Sequence, residues 1–296
     1  LADSLSGHLT GAAGNRIAWE QFAGGNRLAV LFSHGGGQSG RAWRRAASLL
    51  DALGHPCLIY DQRGHGQSEW IERGDYALDD FRDDLLCVIE HWATPCVLVG
   101  SSLGGLVSMM AAATQQRHVR GLVMIDTAPQ LNLVELERIV EFLSGAGEEG
   151  FESVAAAASH MRQYFPERPI SNEAVEPGLM QLPNGRWQWR WDVRVILGER
   201  NSIAIAHEER LHECARQVGV PFLLLRAEHS TLVTDSAIER LERCVPQLEV
   251  GVLVKAAHIV GSADASQIVS ALRPFIDRCA SVASSGAGAP IHDLNA

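Results

Sequence analysis

The amino-acid sequence predicts an α/β fold, with an eight-stranded, mostly parallel sheet, helices on both faces and a helical cap inserted after the sixth strand. Short β-rich runs alternate with longer helical patterns as far as residue 127, and the alternation resumes after about residue 207. The block between them breaks the rhythm. Strands alternating with helices are the pattern of a mainly parallel sheet, because each return crossover must pack on a face of the sheet. The expected organisation is a core over 1–127 and 207–280, a cap over 128–206, and a flexible C-terminal tail over 281–296.

The first two strands, SGHLT (6–10) and NRIAWEQFA (15–23), are joined by GAAG and form a candidate hairpin. LAVLFSH (28–34), PCLIYD (56–61), CVLVG (96–100), GLVMID (121–126), PFLLLR (221–226) and LEVGVLV (248–254) are apolar runs of strand length. Between and after them, helices are expected at 41–53, 78–92, 103–116, 207–218, 235–245 and 264–279, with Thr234 or Asp235 able to cap one of them. In the inserted block, LNLVELERIVEFL and FESVAAAASHMRQYF read as helices, and PERPISNEAVEPG is broken by prolines. A block of this length between two sheet strands reads as a lid, not a linker. If GRWQWRWD is extended, Trp187, Trp189 and Trp191 share one face. They then either pin the cap to the body, the preferred reading, or line an apolar pocket over the site. The tail SVASSGAGAPIHDLNA is small and polar, which suits loose docking or disorder.

Bulk composition excludes several function classes. With 25 basic against 35 acidic residues the net charge is −10, which disfavours a nucleic-acid partner. Cys57, Cys87, Cys96, Cys214, Cys244 and Cys279 form no C-x-x-C pair, so neither a zinc site nor a disulfide scaffold is suggested. No run approaches the ~18 apolar residues of a membrane span, and LADSLSGHLT lacks the pattern of a secretory leader. The expectation is a cytoplasmic enzyme with a small-molecule substrate and neither a nucleic-acid nor a membrane partner.

The chemistry centres on VLVGSSLGGL (97–106). Gly100-Ser101-Ser102-Leu103-Gly104 fits G-x-S-x-G only with Ser102 in the middle, between a strand-like VLV and a helix-like LGGLVSMMAAATQQ. Such a turn strains the nucleophile's backbone and needs glycine on both sides, while it aims the hydroxyl and the first helical N–H groups at one point. The bland alternative is a Gly/Ser-rich helix start with Ser102 as a cap; Ser101, on the strand side, has no assigned chemistry. A serine hydroxyl also needs a base and donors for the tetrahedral oxyanion. SHGGGQSG (33–40) offers the N–H of Gly36 or Gly37, and Leu103 offers the second. His34, at the strand end, more naturally shapes the loop.

At these residues the chain resembles the α/β-hydrolase superfamily: HGGGQSGRAW after the third strand, YDQRGHGQS after the fourth, VGSSLGG as elbow, GLVMIDTAP on the sixth and AAHIV near the end. The resemblance covers nearly the whole chain. It implies that Asp61, Arg63 and Ser68 brace a turn, that His65 is structural, and that His258, after the last strand, is the general base. Most members carry the triad acid shortly after the seventh strand, where this chain has LLLRAEHSTLVTD, with Ser230 and Thr231 at the expected place. Neither can carry the negative charge that steadies an imidazolium. Asp126 ends the sixth strand, where some lipases, dehalogenases and cofactor-independent dioxygenases of the superfamily put their acid; Glu228 lies in the loop itself, and Asp235 beyond it. Asp126 is preferred. Among other histidines, His207 and His212 are five apart, not the four that would share a helix face, and His118, His160 and His229 read as surface residues.

The resemblance implies a serine hydrolase that needs no cofactor or metal and cleaves a carboxylic ester, thioester or lactone of a small hydrophobic or aromatic substrate through an acyl-enzyme. Ser102, His258 and Asp126 would form the triad. Three alternatives share the scaffold: a hydrolase of carbon–carbon bonds in β-diketones or ring-cleavage products, a cofactor-independent dioxygenase or perhydrolase, and a ligand-binding receptor without activity.

Overall fold

A computed structural model of the chain describes residues 4–285, apart from 116, 146, 148, 167–168, 198–206, 255 and 257–264. The core opens with the predicted hairpin, β1 (Ser4–Thr10) and β2 (Arg16–Phe22), followed by β3 (Ala29–Ser33), α1 (Arg44–Asp51), β4 (Cys57–Tyr60), α2 (Leu78–Trp92), β5 (Cys96–Ser101), α3 (Leu103–Ala113) and β6 (Val119–Ile125). The insertion holds α4 (Leu133–Ser144), α5 (Val154–Tyr164), α6 (Asn172–Val175), β7 (Leu179–Gln181), β8 (Trp187–Trp189) and α7 (Arg194–Leu197). The core then resumes with α8 (Glu208–Arg216), β9 (Phe222–Ala227), α9 (Asp235–Cys244), β10 (Leu248–Leu253) and α10 (Ala265–Ser285).

Eight strands form one sheet in the order β1-β2-β4-β3-β5-β6-β9-β10. Within this sheet, among the described residues, only the pairings of β1 with β2 and of β2 with β4 are antiparallel. The strands are apolar on both sides because both sheet faces are covered: Leu31 and Leu98 join the core under α2, α3, α8 and α9, while Val30, Phe32, Val97 and Val99 join the core under α1 and α10. Each such fully buried side chain contributes roughly 1.5–3 kcal/mol. From β3 the chain steps outward to β4 and then returns to β5 on the other flank. This reversal opens a crevice beyond the carboxyl ends of β3 and β5, the place where open α/β sheets bind ligands.

The cap is not purely helical. Leu179–Gln181 and Trp187–Trp189 pair as a two-stranded antiparallel hairpin, its second strand falling in the alternating stretch GRWQWRWD. The C-terminal helix also runs past the predicted end to Ser285, because no glycine or proline follows Pro274 until Gly286. The part of the expected tail from 281 to 285 is therefore helical, and 286–296 lie outside the described residues. All six cysteines are free. Among the described residues no helix is long and apolar enough to cross a membrane.

Candidate active site

Ser102 occupies the turn between β5 and α3 with φ 50° and ψ −123°. A non-glycine residue held in such a sparsely populated region stores about 1–3 kcal/mol and persists only where its surroundings fix it. Here the Ser102 N–H donates to Ile125 O at 3.2 Å, and its carbonyl accepts from the N–H groups of Gly105 at 2.9 Å and Leu106 at 3.2 Å. The glycines are required by close approach. A Cβ on Gly100 would overlap the Gly104 carbonyl, and one on Gly104 would overlap the carbonyl oxygens of Ser33 and His34. Leu103 begins α3, so its N–H has no intrahelical acceptor and lies at the positive end of the helix dipole. Ser102 is half-buried and Ser101 is buried at the end of β5, and both line a cavity.

The loop after β3 is held by two neutral histidines. His34 Nε2 accepts the Gln62 N–H at 2.9 Å, which leaves the proton on Nδ1 to be donated to Gly35 O at 2.8 Å. Burial pushes its pKa down to about 4. His65 Nε2 accepts the Gly37 N–H at 3.2 Å, and Nδ1 donates to Arg63 O at 2.9 Å. Burial, and then the neighbouring His34, push His65 down to about 3. The two rings meet edge to face at 5.0 Å. This geometry separates the two glycine candidates: the Gly37 N–H is engaged by His65, and the Gly35 N–H donates to Gln38 Oε1 at 3.0 Å. Gly36, in the cavity wall, has no hydrogen bond to its N–H among the described residues. Asp61 supports the same loop by accepting the N–H groups of Gly40 and Gln67, each at 2.7 Å, and the Ser68 hydroxyl donates to the Asp61 carbonyl. Arg63 Nε donates to the buried Asp84 at 2.7 Å.

The three candidate acids stand in different surroundings. Ser101 pairs with Ile125 across β5 and β6, so Asp126, one residue on, is level with Ser102 at the same edge of the sheet. Asp126 is fully buried, with φ 49°; its Oδ1 accepts the Ala227 N–H at 3.0 Å, and its own N–H donates to Leu225 O at 2.8 Å. Glu228 is exposed just past β9. Asp235 is 84 % exposed and paired with Arg226, and the cap of α9 is Thr234, whose Oγ1 accepts the Ala237 N–H at 3.2 Å. His258 lies outside the described residues.

The cavity at Ser102 encloses about 950 Å³, its open mouth included. Core residues Leu103 and Leu106 form its floor, and Leu136, Ile139, Phe142 and Phe165 of the cap contribute apolar walls. The tryptophans are elsewhere. Trp189 and Trp191 stack at 4.8 Å and are almost fully buried, and Trp191 bridges to His65 through its backbone. Trp187 bridges to Phe151. None of the three is among the residues lining the cavity at Ser102; Trp191 touches the core through its bridge to His65, and Trp189 stacks on Trp191. His160, expected at the surface, instead stacks on Phe142 at 5.5 Å, with Nε2 hydrogen-bonded to Phe142 O at 2.9 Å. Glu135 and Gln38, also in the cavity wall, were not singled out by sequence, since a glutamate in the first turn of an amphipathic helix ordinarily faces water. No group of His, Cys, Asp or Glu among the described residues is arranged to hold a metal ion.

Comparison with known proteins agrees with this architecture. The family model described as alpha/beta hydrolase fold matches residues 29–262. The chain is 29 % identical over 262 residues to Esterase Rv0045c of Mycobacterium tuberculosis, covering 86 % of this chain and 84 % of that one. It is 30 % identical over 230 residues to 2-(acetamidomethylene)succinate hydrolase of Mesorhizobium japonicum, covering 74 % of this chain and 78 % of that protein. Among solved structures, an E-2-(acetamidomethylene)succinate hydrolase superposes with a TM-score of 0.76 at 26 % identity, covering 93 % of this chain and 100 % of that one.

Proposed function

Because the chain belongs to the α/β-hydrolase family, and is an enzyme of it, we propose that it is a serine carboxylic ester hydrolase acting through an acyl-enzyme. The observation that carries this reading is the strained Ser102 backbone, at the mouth of a helix N-terminus and open to an apolar cavity. The names of its relatives, an esterase among them, support ester hydrolysis. Ser102 Oγ attacks the ester carbonyl as the His258 imidazole takes its proton. The oxyanion of the tetrahedral intermediate accepts hydrogen bonds from the N–H groups of Gly36 and Leu103. Collapse breaks the ester C–O bond, and His258 returns the proton to the departing alcohol. Water, deprotonated by the same imidazole, then attacks the acyl-enzyme and releases the carboxylic acid and Ser102. Asp126 orients His258 and stabilises its charged form.

This reading gives Ser230 and Thr231 no catalytic task, in keeping with the buried carboxylate being Asp126. The apolar walls favour a hydrophobic acyl or alcohol arm. The test is pre-steady-state hydrolysis of p-nitrophenyl esters. A burst of p-nitrophenol equal to the enzyme concentration, lost in Ser102→Ala, is expected; turnover retained by Ser102→Ala would overturn the reading.

A further inference from the structure

We propose that Glu135 sets the charge preference of the cavity, so that the substrate arm lying under α4 is neutral or cationic and a carboxylate-bearing arm is rejected. The proposal rests on the reading of this cavity as the substrate site. Glu135 lines the cavity with Ser102, and no cationic residue does so among the described residues. Its position is built. Asn132 caps α4 by accepting the Val134 N–H at 3.1 Å, and it is tied to the loop after β9 through its N–H to Leu232 O at 2.9 Å and its side-chain amide to Thr231 O at 3.2 Å. Thr231 Oγ1 then donates to Glu135 Oε2 at 3.1 Å. The loop that in most relatives would carry the acid here fixes the start of the cap helix and the carboxylate on it.

Charge in that place is weakly compensated. Arg138 NH1 approaches Glu135 at 3.8 Å, but Arg138 is 57 % exposed while Glu135 is only 26 % exposed, so solvent screens the pair. The rest of the wall is mainly leucine, isoleucine, valine and phenylalanine. Between such walls a second carboxylate loses hydration and meets a like charge at reduced dielectric, whereas a methyl or ammonium terminus does not. One relative is named for hydrolysis of a succinate derivative; this cavity does not suit a dicarboxylate.

Calorimetric binding of heptanamide and of adipamate, its carboxylate-ended counterpart, to the whole chain tests the preference without turnover. The expected ratio of dissociation constants is at least tenfold in favour of heptanamide, falling below threefold in Glu135→Gln and in Glu135→Leu, both checked for native melting. Equal affinities, a ratio unmoved by both substitutions, or no binding of either amide would overturn it. The same ratio is expected in kcat/KM for p-nitrophenyl heptanoate against mono-p-nitrophenyl adipate. Loss of all ester turnover with the binding ratio intact would overturn the esterase reading alone.

Discussion

Replacing Asp126 by asparagine separates its hydrogen bond to Ala227 from the catalytic task proposed for it. The backbone there has φ 49°, a conformation that asparagine accepts more readily than most residues and alanine does not. An asparagine oxygen can still accept the Ala227 N–H, now held at 3.0 Å, so the stability of the Asp126→Asn variant should lie within about 1 kcal/mol of the parent. Its charge is gone, however, and an amide cannot stabilise an imidazolium; kcat should fall by roughly 10⁴, about 5.5 kcal/mol of barrier. Alanine removes the acceptor from a buried N–H, costing about 1–3 kcal/mol, and adds about 1–2 kcal/mol for the left-handed backbone. Asp126→Ala should therefore be inactive and also about 2–5 kcal/mol less stable. Urea unfolding and p-nitrophenyl ester kinetics read both quantities. Retention of more than a tenth of parental kcat by Asp126→Asn would refute the assignment, and a collapse in Glu228→Gln would redirect it.

Gly104→Ala should abolish activity, because the new methyl meets the backbone carbonyls of Ser33 and His34 and neither can move without displacing β3; ester turnover and melting temperature check this. The histidine pair predicts a pH dependence. Both folded pKa values lie below 6.5, at about 4 for His34 and about 3 for His65. The unfolded chain therefore binds more protons than the folded one in acid. The stability contributed by these groups is complete above pH 6.5 and declines as pH falls toward about 4 and then 3. Urea midpoints across that window should show the decline, with a shallower slope in His65→Gln; an unchanged slope would count against a neutral, buried His65.

Much of this was legible in sequence because it depends on short-range patterns. The strand runs had to be apolar on both faces to lie in a covered parallel sheet, and glycines at 100 and 104 had to flank Ser102 because nothing larger fits. Asp126 is proposed as the acid from its place at a strand end, and its burial and its bond to Ala227 follow from strand order. What sequence left open depended on partners far apart in the chain. Gly36 and Gly37 are equivalent until His65, 28 residues away, takes the Gly37 N–H. Alternation put the tryptophans on one face without saying which way it points, and the backbone bridge from Trp191 to His65 holds that strand against the body. Glu135 lies in the cavity wall, where its hydrogen-bond partner Thr231 is 96 residues further along the chain.

The central claim is that Ser102, and no other serine, is acylated. An alkyl fluorophosphonate should inactivate the enzyme with one equivalent bound, and peptide mass spectrometry should find the phosphonyl group on Ser102. Label on Ser101 or elsewhere, or full labelling of Ser102→Ala, would contradict it.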